Sequence, residues 1–255
     1  LGSVVHSQAS LHAEWMGVVP TLAKREHSIN LVPILMQALK EAGILTENKN
    51  PKISEAVKNK IAKIFEKENQ LAEFFWKEIP KIKIPEIDVI AVTYGPGLEP
   101  ALWTGINFAK ALSLIWKKVI IPINHMEGHI LSVLLPFSKN ELENPKIVLP
   151  ALALLISGGH TELVFIKDWL KYKVIGHTRD DAVGEAFDKV ARMLGLPYPG
   201  GPEISKLAAE YEANLKHKKR TIVLPRPMIF SKDFDFSFSG LKTAVLYTIK
   251  KLPEL

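Results

Sequence analysis

The chain contains no cysteine, which excludes disulfides and thiolate metal ligands and is compatible with a reducing compartment. It also lacks any apolar run approaching the ~20 residues needed to cross a bilayer. Its first residues, Leu1-Gly-Ser-Val-Val-His6, carry no secretory-signal pattern, and it does not begin with Met. These absences point to the cytosol or an organelle matrix, with the cytoplasm as the default and no membrane partner. What is present is 255 residues at 47% hydrophobic content, enough for one large or two ordinary domains that each bury a core. The formal charge of +6 suits a polyanionic partner such as RNA, although excess Lys serves plain solubility equally well.

The stretch that organises the chain is Ile121-Pro-Ile-Asn-His-Met-Glu-Gly-His-Ile130. It follows a short apolar run, and Met126, Ile130, Val133 and Leu134 predict a helix from His125 onward. On a helix, His125 and His129 stand one above the other on a single face. Two imidazoles so placed can supply two of the three protein ligands of an open catalytic metal site. Packed or solvated histidines without metal account for the same spacing. Glu127 comes one residue later than the general base of the zinc-protease signature. At about 100° per residue it faces roughly 200° away from His125, so a protease mechanism fits poorly.

Before this stretch, His27 to Gly43 carries Ile29, Leu31, Val32, Leu35, Met36 and Leu39 at helical spacing, with Gly43 as the C-terminal cap. Between about residues 47 and 85 the composition turns to Lys, Glu and Asn around an Ile53, Val57, Ile61, Ile64, Phe65 stripe. This reads as a helical insertion, a surface hairpin with a solvated charged face, with docking or RNA contact as the alternative. Ile87 to Thr93 predicts a buried-type strand, followed by the turn Tyr94-Gly-Pro-Gly-Leu98 and a helix to about Leu114. Val119 to Ile123 predicts a second strand, and Pro136 to Pro150 a linker that sets a domain boundary.

Beyond the linker, Ala151 to Ile156 and His160 to Ile166 predict a hairpin joined through Ser157-Gly158-Gly159. Such a turn can offer successive backbone N–H groups to phosphate oxygens, or can simply satisfy a positive φ. Asp180-Asp181 suits the cap of a helix over Ala182 to Leu194, with Val183, Phe187, Val190 and Leu194 as its buried stripe. Gly184, Glu185, Asp188 and Arg192 then form a polar wall or a solvated salt-bridged face. Tyr198-Pro-Gly-Gly-Pro202 precedes a helix to about Leu215, a good place for a sugar or phosphate. Phe234 to Ser239 alternates strictly, predicting a strand that buries three Phe, and Gly240 turns the chain into a helix with Lys242 in its first turn.

Taken together and in order, His12-Ala-Glu-Trp-Met-Gly-Val-Val-Pro20, Gly95-Pro-Gly97, Asn124-His-Met-Glu-Gly-His129, Ser157-Gly-Gly-His-Thr161, Gly184-Glu-Ala-Phe-Asp-Lys189, Tyr198-Pro-Gly-Gly-Pro202 and Phe236-Ser-Phe-Ser-Gly-Leu-Lys-Thr243 are specific. The chain resembles the tRNA threonylcarbamoyladenosine synthase family, TsaD in bacteria, once described as O-sialoglycoprotein endopeptidases. The resemblance implies an α/β fold of the actin, Hsp70 and sugar-kinase type, two ribonuclease-H-like domains with a cleft between them, here 1–147 and 148–255. It implies transfer of threonylcarbamoyl from threonylcarbamoyl-AMP to the adenosine 3′ of the anticodon in tRNAs reading ANN codons. His125 and His129 match the ligands of one divalent metal ion, Fe2+ or Zn2+. Leu155, Ile156, Ser157, Gly158, Gly159, Asp188 and Gly201 match the substrate or nucleotide contacts. Implied partners are tRNA and accessory proteins of the TsaB and TsaE kind.

Three departures accompany the resemblance. Nothing like the family's opening strand, which ends in a Glu-Thr-Ser-Cys-Asp type motif, precedes Leu1. The family's later glycine-rich segment with a nucleotide-contacting Asn, and the Asp that completes the metal site, do not occur before Leu255. The expectation is a piece of a longer enzyme that binds metal poorly by itself. Ser205 stands where many relatives carry Asp, a departure at one sugar-hydroxyl contact. Two function classes follow: a metal-dependent tRNA-modifying transferase, and a catalytically silent nucleotide-binding scaffold of the same fold acting through a partner.

Overall fold

The computed structural model describes residues 2–15, 17–135, 147–214 and 222–251. Contacts divide the chain into two compact units: Leu1–Ser10 with Val18–Gly128, and Leu11–Gly17 with His129–Leu255. The linker expected over 136–150 falls largely on residues 136–146, which lie outside the described residues. Met16 of the early motif and Leu215, the expected end of a helix, also lie outside the described residues.

After a short helix α1 (Ala9–Ala13), α2 runs Pro20–Glu41. It begins seven residues earlier than the apolar periodicity from His27 predicts, because Pro20 fits a first turn whose N–H needs no partner. Gly43, at φ +73°, follows its end as expected. Helices α3 (Glu55–Ile64) and α4 (Asn69–Glu78) form the hairpin expected between 47 and 85. They are not an appended surface feature. Ile61, Leu71, Phe75 and the following Ile79 are fully buried and share one cluster with Val32, Phe108 and Trp116. Phe75 meets Phe65 edge-on at 5.1 Å and Phe108 at 6.0 Å between ring centroids, each pair adding about 0.5–1.5 kcal/mol beyond area burial. The Lys-rich composition misled because it describes only the outer face of an amphipathic hairpin.

One carboxylate sits inside this apolar region. Glu68 is 5% exposed and accepts from Ser28 Oγ (3.5 Å) and Thr104 Oγ1 (3.4 Å), with Lys24 Nζ at 3.3 Å. Burial of that charge is tolerable because it is both paired and hydrogen-bonded. Thr104 belongs to α5 (Glu99–Trp116), so the carboxylate ties α2 and the start of α4 to α5.

Helix α5 is the crossover between strands β1 (Val89–Gly95) and β2 (Val119–Asn124), which pair in parallel with Val89 opposite Val119 and Thr93 opposite Ile123. Parallel neighbours need such a crossover. Directly after β2 comes α6 (His125–Ser132).

In the second unit, β3 (Ala151–Ile156), β4 (Thr161–Asp168) and β5 (Lys171–His177) make an antiparallel meander in that order. Then come α7 (Val183–Met193), α8 (Gly200–Ala213) and α9 (Ser239–Lys251). Two expectations fail here. The Phe234–Ser239 alternation forms no strand, only a single bridge from Phe236 to Thr178, and Phe234 is 62% exposed. Phe236 and Phe238 instead stack at 6.3 Å. The buried side of α7 is Ala186 and Ala191 with the preceding Ala182, whereas Phe187 and Leu194 are exposed. At Ala191 a small residue is needed because Gly200 packs directly against it. Among the described residues no helix is long and apolar enough to cross a membrane.

Candidate functional site

Asn124, the last residue of β2, accepts from the backbone N–H of Met126 (2.9 Å) and Glu127 (3.3 Å) through Oδ1. That is an N-terminal cap, which satisfies two donors a helix start otherwise leaves unpaired. The cap fixes His125 as the first residue of α6, with His129 one turn on. Met126 and Ile130 are buried, while His125 is half-buried and His129 exposed. One side of α6 is therefore anchored in apolar packing, and the histidines occupy another. Imidazole nitrogens at this interval suit two positions of an iron or zinc site. Among the described residues, no three His, Asp or Glu side chains gather closely enough to hold an ion.

The β3–β4 hairpin places Ile156 opposite Thr161, so its turn is Ser157 to His160. The Ser157 N–H donates to the His160 carbonyl (2.9 Å), and the His160 N–H donates to Ser157 Oγ (3.0 Å). Both ends of the turn are thereby pinned, while Gly158 and Gly159 are exposed with open space where a Cβ would stand. Of the five residues expected to meet a nucleotide here, Leu155 is buried in the sheet and Ile156 exposed. Contact through Leu155 would thus have to come from its backbone.

Behind the turn stands the start of α7. Thr161 Oγ1 accepts from the Val183 N–H (2.9 Å), so this buried threonine, not the Asp180-Asp181 pair, caps the helix. A Cβ on Gly184 would lie 2.6 Å from the Ser157 carbonyl oxygen and 2.7 Å from Gly158 Cα. Only glycine permits that approach. One turn further, Asp188 Oδ1 accepts from the Gly200 N–H (2.8 Å) and so fixes the start of α8, where Gly201 lies in the first turn. A Cβ on Gly200 would collide with Ala191 Cβ. Burial, and secondly the Asp188 charge, push the Tyr198 phenol up from its ordinary value. The structure thus brings together the glycine turn, Gly184, Asp188 and the Gly200-Gly201 helix start within one unit.

Several residues of this framework escape a reading of the sequence. Asp180 accepts from Ser237 Oγ (2.5 Å) and from the N–H groups of Phe238 (2.7 Å) and Ser239 (3.2 Å), capping α9 instead of α7. Desolvation works against its charge, but those three donors prevail and hold its pKa below the ordinary value. Asp181 binds Lys189 Nζ (2.5 Å) and Lys242 Nζ (2.6 Å). Desolvation raises its pKa, yet the two ammonium groups outweigh it and bring the carboxyl down to about 2. Arg179 spans Asp233 (2.6 Å) and Asp235 (2.9 Å). Apart from Lys189, these partners lie 54 to 61 residues away and leave no local pattern; only the adjacent acids and the Lys in the first turn of α9 hint at them.

A family model described as TsaD, tRNA N6-adenosine threonylcarbamoyltransferase, matches residues 1–49 and 66–254. Proteins of that name from Thermosipho melanesiensis and Persephonella marina are each 44% identical, over 100% and 98% of this chain and 62% and 58% of their own lengths. One from Burkholderia thailandensis is 44% identical over 99% of this chain and 58% of its own length. The chain spans about three fifths of the relatives it matches. With all but residues 50–65 and the last residue matched, the chain belongs to the TsaD, or tRNA N6-adenosine threonylcarbamoyltransferase, family.

Proposed function

We propose that this chain is part of a transferase that moves a threonylcarbamoyl group from threonylcarbamoyl-AMP to the N6 amine of the adenosine 3′ of the anticodon in tRNAs reading ANN codons. The observation that carries the reading is the glycine turn at Ser157 to His160, pinned at both ends and backed by Gly184, in a chain of that family. The amine nitrogen forms a bond to the carbamoyl carbon, the bond from that carbon to the AMP oxygen breaks, and the amine gives up one proton. The turn at Gly158 and Gly159 receives phosphate oxygens of the adenylate, with open space at both Cβ positions. Ser157 and the backbone of Leu155 and Ile156 continue that contact. Asp188 holds the start of α8 in place through Gly200, which presents Gly201 to the nucleotide.

His125 and His129 hold one divalent ion, Fe2+ or Zn2+, as two of its ligands, on a helix face set by the Asn124 cap. When bound there, such an ion would supply Lewis-acid polarisation of a carbonyl. The fold is that of the actin, Hsp70 and sugar-kinase group, with domains divided after residue 147. The enzyme works in the cytoplasm with accessory proteins of the TsaB and TsaE kind, and the excess positive charge of the chain suits the tRNA backbone.

The test is to incubate the natural protein containing this chain with an ANN-reading tRNA transcript, threonylcarbamoyl-AMP and its accessory proteins, then digest the tRNA and measure threonylcarbamoyladenosine by mass spectrometry. Product is expected. Tight tRNA binding without product under every metal condition would make the protein a scaffold and end the transferase reading.

A further inference from the structure

Away from the glycine turn, and wholly within the first unit, α3, α5 and β2 border a widely solvent-open cleft of about 420 Å³. Three ammonium-bearing residues, Lys60, Lys63 and Lys110, line it together with the apolar Ile64, Leu114 and Ile120. No carboxylate lines it, and neither Lys60 nor Lys63 has an ion-pair partner among the described residues. Their neighbour Lys58, by contrast, is paired with Glu55 at 2.6 Å. Lys60 and Lys63 lie three residues apart on α3 and so share a side of it. Lys110 Nζ stands 5.4 Å from the ring centroid of Trp103, itself about half exposed.

Three like charges lining one cleft repel one another, and its apolar lining stays wet, unless a ligand answers both features. A bare inorganic anion would answer only the charge. A cleft of this size falls in the range that takes a small organic group, and one nucleotide combines a phosphate with a flat, largely apolar body. Lys60 and Lys63 also fall in the stretch 50–65 that the family match leaves out, so the cleft is not accounted for by the shared framework.

We propose that this cleft binds one nucleotide of an RNA strand, its phosphate between Lys60, Lys63 and Lys110 and its base or ribose over Ile64, Leu114 and Ile120. The choice of RNA among polyanions rests on the transferase reading. The cleft is a secondary grip on tRNA, separate from the transfer chemistry.

The test uses the natural protein with Lys60→Glu and Lys63→Glu combined, and Lys58→Glu as a control outside the cleft. Because both lysines are exposed, the fold is expected to survive, and circular dichroism checks it. Affinity for a tRNA transcript is measured by fluorescence anisotropy over a range of KCl concentrations. The double variant is expected to bind about tenfold or more weakly, with the slope of log K against log salt reduced by about one to two, while the control stays near wild type. Wild-type affinity and slope in the double variant would overturn the proposal. So would loss of binding to vesicles containing phosphatidylserine with tRNA affinity intact, which would assign the cleft to a lipid surface. In the modification assay KM for tRNA is expected to rise and kcat at saturating tRNA to persist. Absence of product from wild type, with the anisotropy difference intact, would remove the transferase reading and leave the cleft standing.

Discussion

Around Phe75 the first unit excludes water with rings and branched hydrocarbon, and the single carboxylate there, Glu68, is held by Lys24, Ser28 and Thr104. Around Asp181 the second unit joins its helices differently. Asp180 and Asp181 link α7 to the 237–242 stretch, and Arg179 reaches back to Asp233 and Asp235. Alanine and glycine take the buried positions between α7 and α8, so little side-chain hydrocarbon is available there. The hydrocarbon packing that dominates the first mode carries no titratable group and strengthens with the area removed from water. The second depends on ionised carboxylates and is vulnerable to acid. The difference has a functional side, since the polar unit is also the one that carries the glycine turn and the Asp188 contact with α8.

The contrast can be broken most forcefully at Phe75. Phe75→Ala should cost about 3–5 kcal/mol, read as a lower denaturant midpoint for the first unit. Next comes Asp181→Asn, which removes the charge that Lys189 and Lys242 share and should cost about 1.5–3 kcal/mol. The loss should appear in the second unit's transition while the first unit's midpoint stays put. A matched loss in both units would deny the contrast.

Acid provides a gentler probe. The Asp181 carboxyl titrates at about 2 in the folded chain, against an ordinary value of 3.8. Above the ordinary value both states are ionised and the stabilisation is complete. As pH falls from there toward about 2, the unfolded chain takes up its proton first, and about 1–2 kcal/mol is lost after allowance for screening. Denaturant titrations between pH 5 and pH 2 should show this loss in wild type and a shallower one in Asp181→Asn. Smallest of all is Lys58→Ala, which deletes an exposed pair with Glu55 and should change stability by no more than about 0.5 kcal/mol.

How much of this was legible in the sequence follows the same division. Helices and strands set by local periodicity, such as α5, β2 and the β3–β4 hairpin, lie within a few residues of where apolar spacing puts them. The Gly43 stop is equally local. The α3–α4 hairpin is legible as helix but reads as surface, because Lys and Glu on one face hide how completely Ile61, Leu71 and Phe75 are enclosed. Phe234–Ser239 failed because alternation states only which residues share a side; a strand also needs a partner, and this stretch gains a single bridge. The site was legible as a set of motifs. Its bracing was not, since Thr161 capping α7 and Asp180 capping α9 are pairings made by the fold.

At the centre of the functional account is the claim that His125 and His129 hold a metal ion. Metal content per chain, measured by inductively coupled plasma mass spectrometry on the natural protein and on its His125→Ala and His129→Ala variants, tests it directly. About one iron or zinc per chain is expected in wild type, with each variant losing most of it while keeping its circular dichroism and its tRNA affinity. Wild-type metal content retained in both variants would contradict the claim.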